Sequence, residues 1–164
     1  MSALIQCHFD YACTSWYSGL SKKSKSKLQV IQNNVIRLLL NHPSRSHIGL
    51  EDFKKADLLP VEYRVRQLKL NHTYNIYHHS APSYLSSKFI LTSHNRTRNS
   101  ASSFILDRVG SYGLNSFIYT SVKLWNALPL YIRQSTSKEI FKKRVRKHFI
   151  SKLQSQDSSH FQYY

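Results

Sequence analysis

The clearest pattern of apolar and polar positions in this chain covers residues 28–39. Apolar side chains recur there at helical spacing, at Leu28, Ile31, Val35, Leu38 and Leu39. An α-helix turns once in 3.6 residues, so this spacing places all five side chains on one side of a helix. The pattern therefore predicts an amphipathic helix that follows the lysine-rich segment 21–27 and ends before Pro43.

Two shorter segments of the first half also have helical signals. Residues 3–17 space their apolar and aromatic side chains as a short helix would, and the LEDFKKADLLP segment at 50–60 predicts another. The second segment begins with the adjacent carboxylates Glu51 and Asp52. We interpret them as charges that complement the positive end of the helix dipole.

A longer helix is predicted over residues 60–79. Pro60 suits its first position, because the N–H that proline lacks would have no partner within the helix. Apolar side chains occupy two faces of this helix, which is therefore predicted to be central. His72, His78 and His79 are interpreted as polar helix residues, because no carboxylate or cysteine on the same face completes a metal site.

The last strong helical pattern covers residues 136–153. Thr136 and Glu139 have the spacing of a capping box, which marks a helix N-terminus. One face is apolar, with Phe141, Val145, Phe149 and Leu153, and five basic residues fall largely on the other faces: Lys142, Lys143, Arg144, Arg146 and Lys147. A basic amphipathic helix of this kind suits a phosphate backbone or an acidic membrane surface.

The segment SFIYTSVKLWNALPLYIR, residues 116–133, is rich in aromatic and aliphatic side chains and has two charges. It predicts a short helix with a broad apolar face that a proline ends. We interpret its end as a packing corner formed by Phe117, Trp125, Asn126, Leu128 and Pro129. In this interpretation Trp125 anchors a core and its indole N–H needs an acceptor, whereas Asn126 bonds the backbone of its own turn.

The stretch between these helices has a different composition. Residues 81–103 are rich in Ser, Asn, Thr and Pro and predict a linker. The FILDRV and YGLNSF segments then give a β signal, as two short alternating runs around Gly110 and Gly113. They predict either a hairpin or one strand packed on the aromatic segment that follows. The predicted fold class is mainly α, with a small β element near residues 104–118.

Three blocks of the chain resemble the C-terminal part of non-LTR (LINE-type, jockey-like) retrotransposon reverse transcriptases. The string SF-x-Y-x4-LWNALP-x2-IR-x3-S-x3-FKKRV is similar to the end of these enzymes. The block SALIQCHFDYACTSWYSGLSKKSKSKLQVIQNNVIRLLL resembles their thumb segment, and LLPVEYRV lies between the two. The resemblance implies a helical, thumb-like bundle.

The same resemblance, combined with composition, predicts four regions along the chain. These are a helical thumb-like region at 1–80, a linker at 81–103, an aromatic and basic C-terminal lobe at 104–154 and a frayed tail at 155–164.

The charge of the chain favours polyanionic partners. Lys and Arg number 24 against 8 Asp and Glu, a net charge of +16, which favours nucleic acid first and an anionic membrane surface second. Four lysines, Lys22, Lys23, Lys25 and Lys27, precede the 28–39 pattern, where the helix dipole disfavours cations. Phosphate contact and a merely solubilising lysine patch both remain open for them.

Residue patterns that would carry catalysis are missing from the sequence. Templated polymerisation needs carboxylates that hold two metal ions, and the chain has no Asp-Asp pair in a Tyr-x-Asp-Asp type turn. Gly-rich phosphate loops and nucleophile elbows are also missing, and Cys7, His8 and Cys13 lack a zinc spacing. We expect no enzyme activity, no metal or cofactor and no small-molecule substrate. We also expect both cysteines to be buried and reduced. Because the apolar runs are short, we expect no transmembrane segment.

The resemblance implies a non-catalytic C-terminal fragment of an RNA-directed DNA polymerase, with the catalytic domains upstream. Its expected partners are template RNA or an RNA–DNA hybrid, and DNA as a further candidate, bound through backbone contacts of Lys and Arg in the nucleus or cytoplasm. Three alternatives stay open. They are a retroelement relic without selected function, a protein-interaction module built on an exposed Trp125–Pro129 corner, and a membrane-surface role for the helix at 137–153.

Overall fold

The computed structural model describes residues 2–78, 81–92 and 102–156. Their fold is mainly helical, which confirms the predicted fold class. The α-helices are α1 (Ser2–Asp10), α2 (Cys13–Trp16), α3 (Lys22–Leu39), α4 (Leu50–Lys55), α5 (Val61–Tyr77), α6 (Ser83–Ser86), α7 (Phe117–Asn126), α8 (Leu130–Arg133) and α9 (Lys138–Gln156), and 3₁₀ helices cover Tyr17–Gly19 and Ser111–Asn115. The centre of the predicted linker and most of the predicted tail lie outside the described residues.

Contacts divide the described chain into two compact units. The first unit contains the residues up to Val65 together with those from Lys147 onward, and the second contains Arg66–Arg146. This division differs from the predicted regions, which break at residues 80 and 103. The difference arises because α5 and α9 each contribute one end to each unit.

In the first unit, the helix predicted over residues 3–17 is broken. Ala12 has a left-handed φ of 46° and separates α1 from α2. Asp10, the last residue of α1, accepts hydrogen bonds from Nε and Nη2 of Arg64 at 3.0 and 2.6 Å. This bidentate ion pair connects the end of α1 to α5. The chain then turns at Ala12 before α2 begins.

Helix α3 forms as predicted, but its most buried side chains are not those of the predicted apolar stripe. Ser21 caps its N-terminus by accepting the N–H of Ser24 at 3.2 Å. Of the predicted apolar stripe, Ile31 is 50% exposed and Leu38 is 62% exposed. Gln32 and Ile36 are buried instead.

The buried face of α3 is set by partners elsewhere in the first unit. Nε2 of Gln32 donates to the backbone oxygen of Leu59 at 2.9 Å. Ile36 forms an apolar cluster with Ile48 and Phe53. A buried amide that makes its hydrogen bond costs little, so this face is stable although one of its central residues is polar.

Helix α4 has the N-terminal charge that the sequence predicts. Oδ2 of Asp52 accepts the N–H of Gly49 at 2.9 Å, and Oδ1 lies 3.0 Å from Nε2 of His42. The Gly49 N–H, followed by the His42 side chain, lowers the pKa of Asp52 despite partial burial. Asp52 therefore stabilises the start of α4, whereas Glu51 is exposed and pairs with Lys54 at 2.6 Å.

Helix α5 begins one residue later than predicted, because Pro60 precedes its first residue. The oxygen of Pro60 accepts the N–H of Arg64 at 2.9 Å, and Oε1 of Gln29 accepts the N–H of Val61 at 3.1 Å. Residues of this helix are buried in both units, as a central helix requires; they include Val61, Val65, Leu70, Thr73, Tyr74 and Ile76.

The core of the second unit is aromatic. The ring of Trp125 lies 5.4 Å from that of Tyr77, 5.7 Å from that of Phe104 and 5.7 Å from that of Phe141. Phe141 also stacks on Tyr74, with ring centroids 4.5 Å apart. Such offset and tilted pairs add to the free energy gained by burying the rings.

The β structure of the second unit is smaller than the sequence predicts. Leu91 and Phe104 form an antiparallel bridge, and Ile105 donates its N–H to the oxygen of Ile90 at 2.8 Å. Phe104 of FILDRV takes part in this bridge, whereas YGLNSF does not form a strand, because residues 111–115 form a 3₁₀ helix and α7 begins at Phe117. The alternation of residue types was too short to distinguish a strand from a helical turn.

Helix α9 buries the predicted face at all four positions. Phe141 and Val145 are buried in the second unit, and Phe149 and Leu153 are buried in the first. The capping residue is not the predicted Thr136. Oγ of Ser137 accepts the N–H of Ile140 at 3.3 Å, so the helix begins at Lys138 and Glu139 is not at the capping-box position.

Candidate nucleic-acid interface

The solvent face of α9 is a row of cations. Because the apolar face is buried, Lys142, Lys143, Arg144 and Lys147 are exposed, and Arg146 is half-buried. Like charges four residues apart, such as Lys143 and Lys147, destabilise an isolated helix by about 0.2–0.5 kcal/mol. Helix stability therefore does not explain this arrangement.

The two arginines differ from the three lysines in what they contact. Nη1 of Arg144 donates to the backbone oxygen of Tyr131 at 2.6 Å and lies 3.3 Å from Oγ of Ser135. Arg146 also takes part in an interaction within the chain. Lys142, Lys143 and Lys147 are therefore the predicted residues of this helix best placed to contact an external anion.

The second unit, which contains most of this basic row, has few acidic residues. Its sequence has 13 Lys and Arg against 2 Asp and Glu, whereas the first unit has 11 against 6. Partial desolvation, and then the charge of Lys138, lower the pKa of His72, which is therefore neutral near pH 7. The positive field of this unit comes from lysine and arginine.

The lysines that precede the apolar stripe of α3 separate into two kinds. Lys22 and Lys25 line a groove of the first unit, whereas Lys23 and Lys27 are exposed and are not part of that lining. Nζ of Lys25 lies over the ring of Tyr17, 5.1 Å from its centroid. Residues 22–27 belong to the first unit, and residues 142–146 belong to the second.

The groove of the first unit has a volume of about 430 Å³. Its other lining residues come from four segments: Tyr17, Ser26, Gln29, Asn33, His47, Ile48, Phe53, Pro60, Glu62 and Tyr63. Sequence reasoning missed these residues as a site. They are distant along the chain and share no spacing, so only the fold brings them together.

The corner at the end of α7 is buried, as the packing interpretation requires. Trp125 has no exposed surface, and its Nε1 donates to the oxygen of Ser102 at 2.8 Å. Asn126 does not bond its own turn as predicted. Its side chain accepts the N–H of Phe104 at 3.0 Å and donates to the oxygen of Phe104 at 2.8 Å, so it pairs with a distant backbone as a strand would.

The other corner residues support the same packing. Leu128 is buried, Phe117 is half-buried with its ring 6.3 Å from that of Phe89, and Pro129 immediately precedes α8. An interaction module built on this corner requires an exposed aromatic patch. The burial of Trp125 argues against that alternative.

The two cysteines differ in exposure. Cys13 is buried as predicted, whereas Cys7 is exposed, which contradicts the expectation for it. Neither cysteine takes part in a disulfide. Within residues 2–78, 81–92 and 102–156, no group of three or more His, Cys, Asp or Glu side chains could hold a metal ion. Over the same ranges, the helices are too short or too polar to cross a bilayer.

Comparisons with known proteins gave no match to a family model, to a curated protein or to a solved structure.

Proposed function

We propose that this chain is a non-catalytic nucleic-acid-binding segment that holds the backbone of RNA or of an RNA–DNA hybrid. The contacts are made by Lys142, Lys143 and Lys147 on α9. The proposal retains the likeness to the thumb and C-terminal region of non-LTR retrotransposon reverse transcriptases, in which the polymerase carboxylates would belong to another part of the enzyme.

The observation that carries the proposal is the row of exposed lysines on a helix whose opposite face is buried. The apolar face fixes the helix, so the lysines are presented on a rigid element. Lys143 and Lys147 lie four residues apart, on adjacent turns about 5–6 Å from each other, so these two can contact neighbouring phosphates, and Lys142 extends the basic surface to one side. Neutralising phosphates releases condensed counterions and gives binding that depends on salt but tolerates sequence.

The low acidity of the second unit supports the same proposal. With 2 acidic residues against 13 basic ones, little intramolecular pairing neutralises its field. Tyr131, whose oxygen accepts from Arg144, has a side chain that is 59% exposed. Its exposed ring belongs to a residue that α9 contacts through the backbone, and an exposed aromatic ring is suited to stack on an unpaired base.

The test measures the affinity of the purified chain for single-stranded RNA, an RNA–DNA hybrid and duplex DNA across a salt series. The variant replaces Lys142, Lys143 and Lys147 by Gln. We expect its salt slope to fall by about 0.7 per lost contact on a single strand and about 0.9 on a duplex.

A matched control replaces three exposed lysines of other elements, Lys55, Lys88 and Lys123, by Gln. It removes the same net charge, so an equal loss of slope in both variants would refute the proposed face and leave only non-directional attraction. Absence of binding to all three nucleic acids near physiological salt would refute the function itself. Competition by acidic vesicles, with no competition by short RNA, would support a membrane-surface role instead.

A further inference from the structure

The groove of the first unit has walls that are held in place without a ligand. Oε1 of Gln29 accepts the N–H of Val61, and its Nε2 donates to Oε1 of Gln32 at 2.9 Å and to Oδ1 of Asn33 at 3.0 Å. Gln32 in turn donates to the oxygen of Leu59. This network of amides connects the α3 wall to the start of α5, so the groove is preformed, as small-molecule sites usually are.

The apolar part of the lining is suited to a planar ring. Tyr63 is half-buried and is its most accessible ring. The other apolar lining residues are buried in the walls: Tyr17, Ile48, Phe53 and Pro60. Tyr63 is fixed by an edge contact with Phe149, at 5.5 Å between ring centroids. Aromatic rings held in this way stack on a nucleobase without losing side-chain freedom.

The polar part of the lining is suited to an anion. Lys22, Lys25 and Ser26 lie three and four residues apart on α3, and therefore on one edge of the groove. The contact between Lys25 and the ring of Tyr17 places an ammonium group next to an aromatic surface. Glu62, on the α5 wall, disfavours a phosphate on that wall and so favours the α3 edge.

We propose that this groove binds a nucleoside phosphate, with the base against Tyr63 and the phosphate on Lys22 and Lys25. The volume of about 430 Å³ falls within the range of about 300–1,000 Å³ that is usual for such ligands. The ligand is either a terminal nucleotide of a strand or a free mononucleotide. The strand-bound form rests on the proposed function, whereas binding of a free nucleotide does not require the α9 face.

The test titrates the full chain with the four ribonucleoside 5′-monophosphates, adenosine and inorganic phosphate, and follows binding by calorimetry and NMR. Because the base and the phosphate have separate contacts, a monophosphate is expected to bind more tightly than adenosine or phosphate alone. Replacing Lys22 and Lys25 by Gln should weaken monophosphate binding about tenfold or more, since each charged contact is worth about one decade.

The same lysine run supplies the matched control. Replacing Lys23 and Lys27 by Gln removes the same charge from the same helix but leaves the groove lining unchanged, and is expected to change the affinity less than about twofold. A second variant, Ser26→Trp, fills the groove from an exposed position and should abolish binding while circular dichroism shows an intact fold.

Oligonucleotides with and without a 5′-phosphate distinguish the two sources of ligand. Preference for the phosphorylated strand that is lost in the Lys22/Lys25 variant assigns the groove to a strand end, and binding of free nucleotide alone assigns it to a mononucleotide. Equal losses in both lysine pairs, or no binding of any monophosphate at millimolar concentration, would overturn the proposal. The α9 lysine variant separates the two proposals, because it should weaken long RNA while leaving mononucleotide binding unchanged.

Discussion

Helices α3 and α9 have similar sequence patterns but use them differently. Both combine an apolar stripe with a run of lysines, and both patterns predict amphipathic helices. On α9 the apolar stripe is buried at every position, and the cations face solvent. On α3 the stripe is only partly buried, because Ile31 and Leu38 are exposed, and the fully buried side chains are those of Gln32 and Ile36.

The difference shows that periodicity predicts a helix more securely than it predicts the buried face. A helix that has several apolar residues can bury more than one of its faces. Its contacts with neighbouring elements determine which face is buried. On α9 the aromatic partners Tyr74 and Trp125 select the stripe through Phe141. On α3 the amide of Gln32 is buried because it donates to the oxygen of Leu59, and a buried carbonyl without a hydrogen bond is costly.

The largest effect is expected where the predicted face is buried. Phe141→Ala removes a ring with no exposed surface from the aromatic core of the second unit. The free energy of unfolding should fall by about 3–5 kcal/mol, as for other buried Phe→Ala changes. Urea unfolding followed by circular dichroism measures it.

Ile140→Ala is the control for this change, because Ile140 is adjacent on α9 but 39% exposed. It should cost about 1 kcal/mol or less. Similar losses for the two variants would mean that the aromatic core contributes no more than an exposed position does, and that the comparison between the helices is wrong.

The next effect concerns the polar residue that determines the buried face of α3. Gln32→Ala leaves the buried oxygen of Leu59 without its hydrogen bond and should lower the free energy of unfolding by about 1–3 kcal/mol. Asn34→Ala removes an exposed amide from the same helix, whose Oδ1 accepts from Nη1 of Arg37 at 2.6 Å, and because that bond is exposed stability should change by less than about 0.5 kcal/mol. Equal effects of the two, measured by urea unfolding, would show that the Gln32 bond does not select the face.

Sequence reasoning therefore predicted the helical class, the central helix α5, the buried stripe of α9 and the burial of Trp125. It did not predict the exposed stripe of α3 or the pairing of Asn126 with Phe104, because both depend on backbone groups distant in the sequence. The groove of the first unit was missed for the same reason. The basic residues of α9 could be placed on its polar faces from the sequence. The hydrogen bond from Arg144 to the Tyr131 oxygen could not be predicted.

A smaller effect is expected at α4, which supplies the Phe53 side chain that packs on Ile36 of α3. Asp52→Asn keeps the side-chain oxygen but removes the charge from the helix N-terminus, and should cost about 0.3–1 kcal/mol near pH 7. Because the pKa of Asp52 is lowered in the folded state, its contribution is fully present above the unfolded value of 3.8 and is lost as pH falls through the folded pKa. The stability difference between wild type and variant should therefore vanish in acid, and a difference that persisted there would exclude the charge as its cause.

The smallest effect is expected on the exposed stripe of α3. Leu38 is 62% exposed, and glutamine has nearly the helix propensity of leucine, so Leu38→Gln removes little buried surface and no helix stability. The free energy of unfolding should change by less than about 0.5 kcal/mol and should not depend on protein concentration. Denaturant unfolding at two widely separated protein concentrations checks both points.

A loss above about 1.5 kcal/mol that grew with protein concentration would mean that another copy covers this stripe in solution, since association stabilises a fold by mass action. In that case α3 would bury two faces, and its predicted pattern would describe an interface and not an exposed surface.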